Sequence, residues 1–354
     1  MTARSSDAVD FGRRLLTVRT ASRLSARVDL RTVLVVALLV LAAAAISVVA
    51  LGSGDFPIAP GRVLAALVGH GDEAESLVVL HWRLPRVLMA FVLGWALGIS
   101  GAIFQSLTRN PLGSPDIIGF NTGAYTGALI VILTLNQTSY YAIGGGALIG
   151  GVATALAVYL LAFKRGVQGF RLIIVGIGIS AVLASVNTWL ILKANLANAM
   201  SASTWGAGTL NGIVWDQARP ALIGAAVLSV GVAFAAHRMP VLAMGDDTAQ
   251  ALGVRAEPTR LTMIVIAVAL TALSTAVAGP IAFVALAAPQ LARVLTRSAG
   301  VTLLPAGAMG AVILTAGDLI AARTFSARLP VGVITVAIGG LYLIWLLARE
   351  ARRQ

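Results

Sequence analysis

Long apolar runs, separated by charges and prolines, recur along the chain after residue 31. A helix needs about 20 apolar residues to cross a bilayer, and each run approaches or exceeds that length. The weakest of them, 281–295, predicts a span that is short or broken. We therefore predict an all-α integral membrane protein of about ten transmembrane helices, near 33–51, 84–107, 117–135, 141–163, 172–192, 218–236, 261–278, 281–295, 304–322 and 331–348.

Two polar stretches interrupt this pattern. One runs from Gly52 to Arg83, and the other, from Met239 to Arg260, reads MPVLAMGDDTAQALGVRAEPTR. Within the second, Asp246 and Asp247 stand where a helix would begin, because carboxylates favour the positive end of the helix dipole. Gly253 suits the end of such a helix. The stretch 239–260 therefore predicts a small helix outside the membrane.

Composition agrees with a lipid environment, since 58% of the 354 residues are hydrophobic and 11% are charged. Half of the net charge of +12 comes from the segments before the first span and after the last, which together hold ten arginines and four acidic residues. Lys and Arg concentrate in cytoplasmic segments of membrane proteins. We therefore predict a cytoplasmic tail at 1–31, a transmembrane permease domain at 32–349 and a cytoplasmic tail at 350–354, in a multi-pass protein of the cytoplasmic (inner) membrane. Nucleic-acid binding by the tail at 1–31 is the alternative, but the concentration of Lys and Arg in cytoplasmic segments already accounts for the positive charge of this tail.

Glycines recur at four-residue spacing inside the predicted spans, for example at Gly94 and Gly98 and again at Gly119, Gly123 and Gly127. Lipid offers no hydrophobic drive to bring helices together, so small residues that allow close backbone approach favour their association. Close packing within one bundle is the expected role, with a path for a bulky solute as the alternative.

The chain lacks the groups that would drive uphill transport by itself. Its acidic residues fall in tails and loops, apart from Asp318 near the outer end of the ninth span, where we expect it to pair with Arg323 or with water. Carriers coupled to ion gradients need ionisable groups in the membrane. Neither Lys164 nor Lys193 follows a glycine, so the phosphate-binding loop of ATPases is absent as well.

No constellation of catalytic or metal-ligating side chains is apparent in the spans, and the chain has no cysteine. We therefore predict a transport subunit without enzymatic activity, cofactor or bound metal, whose ATP hydrolysis is supplied by a separate subunit docking near 239–260. A secondary carrier or channel that works alone, and a membrane-embedded enzyme, are the rival hypotheses.

Five ordered runs along the chain are specific enough to compare with known families. They are RLPRVLMAFVLGWALGISGAIFQSLTRNPLGSPDIIGFNTGA at 83–124, ALGV at 251–254, GPIAFVALAAPQLAR at 279–293, GDLIAARTF at 317–325 and LPVGVITVAIGGLYLIWLLAR at 329–349. These runs resemble the iron-siderophore and vitamin B12 permease family of type II ABC importers, FecCD-like proteins, and among them the ferric enterobactin permease subunits. Gln290 and Arg328 depart from many members, which carry a histidine and a glutamate there.

The resemblance implies roles for three groups of residues. Arg83, Arg86 and Arg323 match arginines on the external rim that meet glutamates of a substrate-binding protein. A second group matches the short helices that rest on the ATP-binding subunit, and consists of Gly245, Asp246, Asp247, Ala249, Leu252 and Gly253. Gln105, Asn121 and Thr122 are polar residues in or beside the spans and are candidates for lining the path.

The resemblance also implies the partners and the cargo. The expected partners are two ATP-binding subunits, a second permease subunit that is either identical or different, an extracytoplasmic substrate-binding protein and membrane lipid. The expected cargo is a ferric siderophore, with vitamin B12 or a haem-like chelate as the alternative. Since such a metal arrives already wrapped by its chelator, the path needs no metal ligands of its own.

Overall fold

The computed structural model describes residues 15–20, 24–163, 169–300, 302–324 and 329–351. Within these ranges the chain is helical apart from one hairpin and the connecting loops. The helices are α1 (Leu30–Gly52), α2 (Pro60–Leu67), α3 (Glu73–Ser76), α4 (Leu84–Thr108), α5 (Phe120–Leu129), α6 (Tyr140–Ala162), α7 (Gly169–Lys193), α8 (Leu196–Gly206), α9 (Trp215–Ala236), α10 (Met239–Ala243), α11 (Asp246–Ala251), α12 (Ala256–Ala278), α13 (Val284–Thr296), α14 (Leu303–Arg323) and α15 (Val331–Ala351).

The predicted spans are confirmed as helices. In the described part of the chain, seven helices are long and apolar enough to cross a membrane, and three shorter apolar helices at 120–134, 284–296 and 331–344 occupy the other predicted positions. Two π-helical stretches, Leu77–Arg83 and Ile130–Thr134, extend the helices next to them. The helical membrane fold expected from hydropathy is therefore confirmed.

The span predicted to be short or broken is short. Helix α13 has 13 residues, which at 1.5 Å per residue rise only about 20 Å. The preceding residue, Phe283, has a φ of 68°, a left-handed backbone conformation that residues other than glycine seldom adopt. Helix α12 ends at Ala278, and the chain turns between Gly279 and Phe283 before α13 begins, which places a non-helical turn inside the bundle.

Glycines allow the helices to pack closely, as their spacing predicted. A Cβ on Gly94 would meet the carbonyl oxygen of Gly310, and one on Gly98 would meet that of Ala306, so α4 and α14 lie backbone to backbone. Gly127 faces the backbone of Gly146 in the same way, which joins α5 to α6. Small residues at these positions permit the approach that helix association in lipid requires.

The polar stretch that follows α1 is folded rather than extended. Leu51, Ile58, Val63 and Val79 are buried in a small apolar cluster of their own. Arg62 is 2.9 Å from Glu75 in an ion pair that crosses this segment. This layer covers one end of the bundle, called here the predicted external face, and α10 and α11 lie at the other end, the predicted cytoplasmic face.

Residues before α1 include an element that the sequence did not predict. Strands β1 (Leu15–Thr20) and β2 (Leu24–Asp29) pair antiparallel in the predicted tail, and the Asp29 carboxylate caps the start of α1 by accepting the N–H of Arg31. Outside the described residues lie the remainder of the predicted N-terminal tail, residues 352–354 of the predicted C-terminal tail, and Arg328.

Candidate functional site

The three arginines predicted to dock a binding protein line one open cavity at the predicted external face. The cavity has a volume of about 500 Å³ and is lined by Arg83, Arg86 and Arg323 together with Asp318. His81 and Trp82 also border it, and Trp82 is 66% exposed. Tertiary structure therefore brings together residues that are 240 positions apart, counted from Arg83 to Arg323.

Arg86 is engaged within the protein. Its Nε donates to Oδ1 and Oδ2 of Asp318 at 3.2 and 3.0 Å, and its Nη2 donates to Oδ1 at 2.8 Å. Asp318 is 4% exposed, so this forked pair neutralises a buried carboxylate and ties α4 to α14. The expectation that Asp318 pairs with Arg323 or with water was wrong, because the register of α4 against α14 sets Arg86 opposite the carboxylate.

Arg83 is also occupied by the fold. Its Nη1 donates to the carbonyl oxygen of Leu51 and its Nη2 to that of Phe56, both at 2.8 Å. These carbonyls lie at the end of α1 and in the loop beyond it, where helix termini leave acceptors without a partner. The Arg83 side chain therefore holds this loop against the helix that leads into α4.

Arg323 differs from the other two. It is the last residue of α14 and it is exposed. Across the residues that the structure describes, its side chain forms no hydrogen bond and no ion pair. Of the three predicted docking arginines, Arg323 is the one whose guanidinium remains available to a partner.

Gln105, a predicted path residue, connects two helices in the interior. It is 3% exposed. Its Nε2 donates to the carbonyl oxygen of Leu286 at 3.0 Å, and its Oε1 accepts from Nε2 of Gln290 at 2.7 Å. The pair cross-links α4 and α13, and it gives Gln290 a partner at a position where the sequence departs from the resembled family.

Asn121 and Thr122, the other predicted path residues, are half-buried near the start of α5. Nδ2 of Asn121 donates to Oδ1 of Asp116 at 2.6 Å, and its Oδ1 accepts from Oγ1 of Thr275 on α12 at 3.4 Å. The backbone carbonyl of Thr122 accepts from Nδ2 of Asn187 on α7 at 3.4 Å. The start of α5 is thus joined by polar contacts to α7 and α12.

Asp116 is a residue that sequence reasoning missed. Its Oδ2 accepts the backbone N–H of Phe283 at 3.0 Å, so the carboxylate fixes the left-handed residue from which α13 begins. The sequence places Asp116 in a loop after Pro115, and a loop carboxylate looks solvated. Only the fold shows that this loop enters the bundle and meets the turn between α12 and α13.

The segment 239–253 folds into two short helices, α10 and α11, where the sequence predicted one small helix. Gly245, with a φ of 113°, precedes α11, and Gly253, with a φ of 78°, ends it. The N–H of Gly253 bonds to the Gln250 carbonyl, and the N–H of Val254 bonds to the Ala249 carbonyl at 2.8 Å. This pattern is the Schellman motif, which requires a left-handed residue and so favours glycine.

The side chains of this segment point in two directions. Ala249 is fully buried and packs with Leu242 and Ala256 in a small cluster. Met244 and Leu252 are 67% and 60% exposed, and Asp247 is exposed beside them. Asp246 turns back towards the bundle, where Arg260 of α12 donates to its Oδ1 at 2.8 Å. The outward surface therefore includes Met244, Asp247 and Leu252.

Among the described residues, no three His, Asp or Glu side chains come together in a group that could hold a metal ion. Buried hydroxyls such as those of Ser100, Thr271 and Thr315 donate to backbone carbonyl oxygens. These bonds satisfy polar side chains within the interior of the bundle.

Comparisons with known proteins agree on one family. The FecCD transport family matches residues 30–349. The chain is 48% identical over 326 residues to the ferric enterobactin transport system permease protein FepG of Escherichia coli strain K12, covering 92% of this chain and 98% of that protein. It is 35% identical to the probable siderophore transport system permease protein YfhA of Bacillus subtilis strain 168, covering 86% and 91%.

Two further comparisons extend the picture. The cobalamin import system permease protein BtuC of Halobacterium salinarum is 33% identical over 79% of this chain and 76% of its own. Among solved structures, an inward-facing conformation of a putative metal-chelate type ABC transporter matches with a TM-score of 0.79 and 26% identity, covering 89% of this chain and 99% of that one.

Proposed function

We propose, from the premise that this chain belongs to the FecCD transport family, that it is the permease subunit of an ABC importer that carries a ferric siderophore across the cytoplasmic membrane. The observation that carries the proposal is the 48% identity to a ferric enterobactin permease over nearly the whole of both chains. The chain itself forms the membrane passage, and a separate ATP-binding subunit hydrolyses ATP.

The cargo is a ferric siderophore rather than a corrinoid. FepG is named a ferric enterobactin permease, YfhA a probable siderophore permease and CbrC of Dickeya dadantii an achromobactin permease, at 48, 35 and 34% identity. The cobalamin permease shares 33% over a smaller part of the chain. Ferric enterobactin is therefore the first compound to test, and vitamin B12 is the contrasting one.

The ATP-binding subunits bind the face that carries α10 and α11, and both chain termini lie on that cytoplasmic side. Support comes from Met244 and Leu252, two exposed apolar side chains that lie beside the short helices α10 and α11. Apolar groups buried at the centre of an interface carry much of its binding energy. When ATP closes the two ATP-binding subunits, this segment moves with them and the bundle changes the side to which its passage opens.

A substrate-binding protein docks at the opposite face, with Arg323 as the principal charged contact. The guanidinium of Arg323 is exposed, whereas Arg86 and Arg83 already satisfy groups of the fold. An exposed arginine attracts a carboxylate of a partner and steers its approach. Arg83 and Arg86 line the cavity beside it and shape its wall.

A second permease subunit completes the passage. The chain resembles subunits of importers that contain two such bundles, and the polar start of α5 is only half-buried within one bundle. Departures at Gln290 and Arg328 favour a partner of different sequence over a second copy. Co-expression of differently tagged copies, with and without a neighbouring permease gene, distinguishes a heterodimer from a homodimer.

Uptake by a deletion strain tests the function. Cells lacking this gene receive radioactive iron as ferric enterobactin, as a hydroxamate siderophore or as citrate, and separately receive labelled vitamin B12. We expect loss of uptake for one class of siderophore, restored by the gene on a plasmid, with vitamin B12 uptake intact. Loss of vitamin B12 uptake alone would assign the cargo to the corrinoids and refute the siderophore proposal.

A further inference from the structure

We propose that the ion pair between Asp246 and Arg260 is the joint through which movement of α11 reaches α12 and thereby the interior of the bundle. The inference rests on the proposed function, in which α10 and α11 follow the ATP-binding subunits. It assigns to Arg260 a positioning role that neither its sequence context nor the family resemblance indicates.

The geometry makes this pair a defined contact rather than a loose surface attraction. Nη2 of Arg260 is 2.8 Å from Oδ1 of Asp246, and Nη1 is 3.3 Å from Oε2 of Glu257. Glu257 lies three residues earlier on α12, so it orients the guanidinium from its own helix. The Arg260 side chain is 13% exposed and that of Asp246 is 49% exposed, so water screens the pair only in part.

The surroundings of α11 give this contact mechanical importance. Both covalent connections of α11 pass through glycines with positive φ, Gly245 and Gly253, and a Cβ on either would meet nothing within 4 Å. The backbone there is unconfined by neighbouring side chains. Ala249, in the middle of α11, packs in a small apolar cluster, and the ion pair holds Asp246, the first residue of α11, against α12. Together the two contacts prevent α11 from turning independently of α12.

Helix α12 connects this joint to the interior. It has 23 residues and is therefore about 34 Å long at 1.5 Å per residue. Near its far end, Oγ1 of Thr275 donates to Oδ1 of Asn121 at 3.4 Å, and Asn121 bonds in turn to Asp116 beside the start of α13. A displacement applied at Arg260 thus moves a continuous helix whose other end holds the polar start of α5.

The experiment measures coupling in the complete transporter. The chain, its partner permease, the ATP-binding subunit and the binding protein are reconstituted in liposomes, and uptake of radioactive ferric enterobactin and release of phosphate are recorded together. Asp246→Ala and Arg260→Ala should each lower the amount of iron transported per ATP by about 5-fold, the size of effect that a residue on a coupling route typically has. The double variant should lose no more than either single variant, because both remove the same contact.

Controls distinguish loss of the ion pair between Asp246 and Arg260 from misfolding or failed assembly of the variant. Arg219→Ala removes an exposed guanidinium at the predicted external face, away from α10 and α11, and should keep the wild-type ratio of iron to ATP. Thermal unfolding and co-purification with the ATP-binding subunit establish that each variant folds and assembles. If Arg260→Ala fails to assemble, Asp246→Asn decides the question, because it removes the charge while keeping an amide of nearly the same shape.

The outcomes are distinct. Wild-type ratios in Asp246→Ala and Arg260→Ala, or losses that add in the double variant, would overturn the joint while leaving the importer intact. A wild-type complex that hydrolyses ATP without any ATP-dependent uptake of a siderophore or of vitamin B12 would instead overturn the proposed function on which the joint depends.

Discussion

Arg86 and Asp318 show how strongly one buried contact constrains the interpretation of a charged residue. Resemblance to a transporter family suggests that Arg86 faces a partner protein, but its guanidinium is held by three hydrogen bonds to a carboxylate that is 4% exposed. Removing one member of a buried ion pair leaves the other charge without compensation. Loss of uptake in an Arg86 variant would therefore report on folding before it reports on docking.

The first prediction follows from this contact. Arg86→Ala should lower the free energy of unfolding by about 2 kcal/mol, below the range for fully buried pairs because the Arg86 side chain is 21% exposed. Adding Asp318→Asn should recover part of the loss, since the uncompensated charge disappears. Thermal unfolding in detergent measures both, with the exposed Arg219→Ala as the control. Equal stability of Arg86→Ala and the control would show that the pair contributes nothing.

A second prediction concerns Arg323. Arg323→Glu should weaken binding of the substrate-binding protein about 10-fold, chiefly through slower association, as expected for a charge at the rim of an interface. The thermal unfolding temperature should stay unchanged, because the side chain is exposed. Arg219→Glu makes the same charge reversal at another exposed position of the predicted external face. Surface plasmon resonance with the purified complex compares them, and equal binding by both variants would refute docking at Arg323.

Helix α11 illustrates how an element acquires two functionally different sides. Its sequence, DDTAQA, has no apolar residue larger than alanine, so amphipathicity does not indicate which side faces the protein. The fold decides it: Ala249 packs inward, whereas Leu252, directly after the helix, is exposed. A bulky residue at Ala249 would therefore disturb the packing of the segment itself, and Leu252 is the sharper probe of the ATP-binding subunit.

The third prediction separates these two effects. Ala249→Leu should destabilise the fold by about 2 kcal/mol through overpacking. Leu252→Ala should keep the thermal unfolding temperature and weaken binding of the ATP-binding subunit about 5-fold, as loss of an apolar interface contact does. Leu261→Ala, at a side chain that is 43% exposed on α12, is the matched control. Undiminished co-purification of the ATP-binding subunit with Leu252→Ala would remove Leu252 from the interface.

Among the helices and the turns that join them, the turn between α12 and α13 was the least well predicted from hydropathy. A weak apolar run predicted a short span, and α13 is short. What the run did not indicate is that Phe283, the residue before α13, adopts a left-handed conformation and that Asp116, from a loop 167 positions away in sequence, accepts its N–H. Backbone groups inside a membrane protein must be satisfied internally, and at Phe283 a distant carboxylate does this.

The whole molecule is a bundle whose two ends carry different chemistry. The predicted external end has an arginine-lined cavity of about 500 Å³, and the predicted cytoplasmic end has a small helical segment with exposed apolar side chains. Between them, helices lie close together through glycines such as Gly94, Gly98 and Gly127. This division matches a passage that receives its cargo at one end and its driving force at the other.

The fourth prediction distinguishes this arrangement from a carrier that works alone. The purified chain in liposomes, with or without a proton or sodium gradient, should take up no ferric enterobactin and release no phosphate from ATP. Addition of the ATP-binding subunit, the partner permease and the binding protein should establish ATP-dependent uptake. Radioactive iron and phosphate assays on the same liposomes provide the measurement. Gradient-driven uptake by the chain alone would support a secondary carrier instead.

The sequence by itself predicted about ten spans and their approximate positions, because long apolar runs have no stable alternative to a helix in lipid. It also located the segment around Asp246 and, through ordered motifs, the family. Tertiary structure alone decided which side chains are free: Arg86 is bound to Asp318, Gln105 is buried against Leu286, and Asp116 holds the start of α13. The reason is that hydropathy depends on local sequence, whereas the partner of a polar group depends on how distant helices are placed in register.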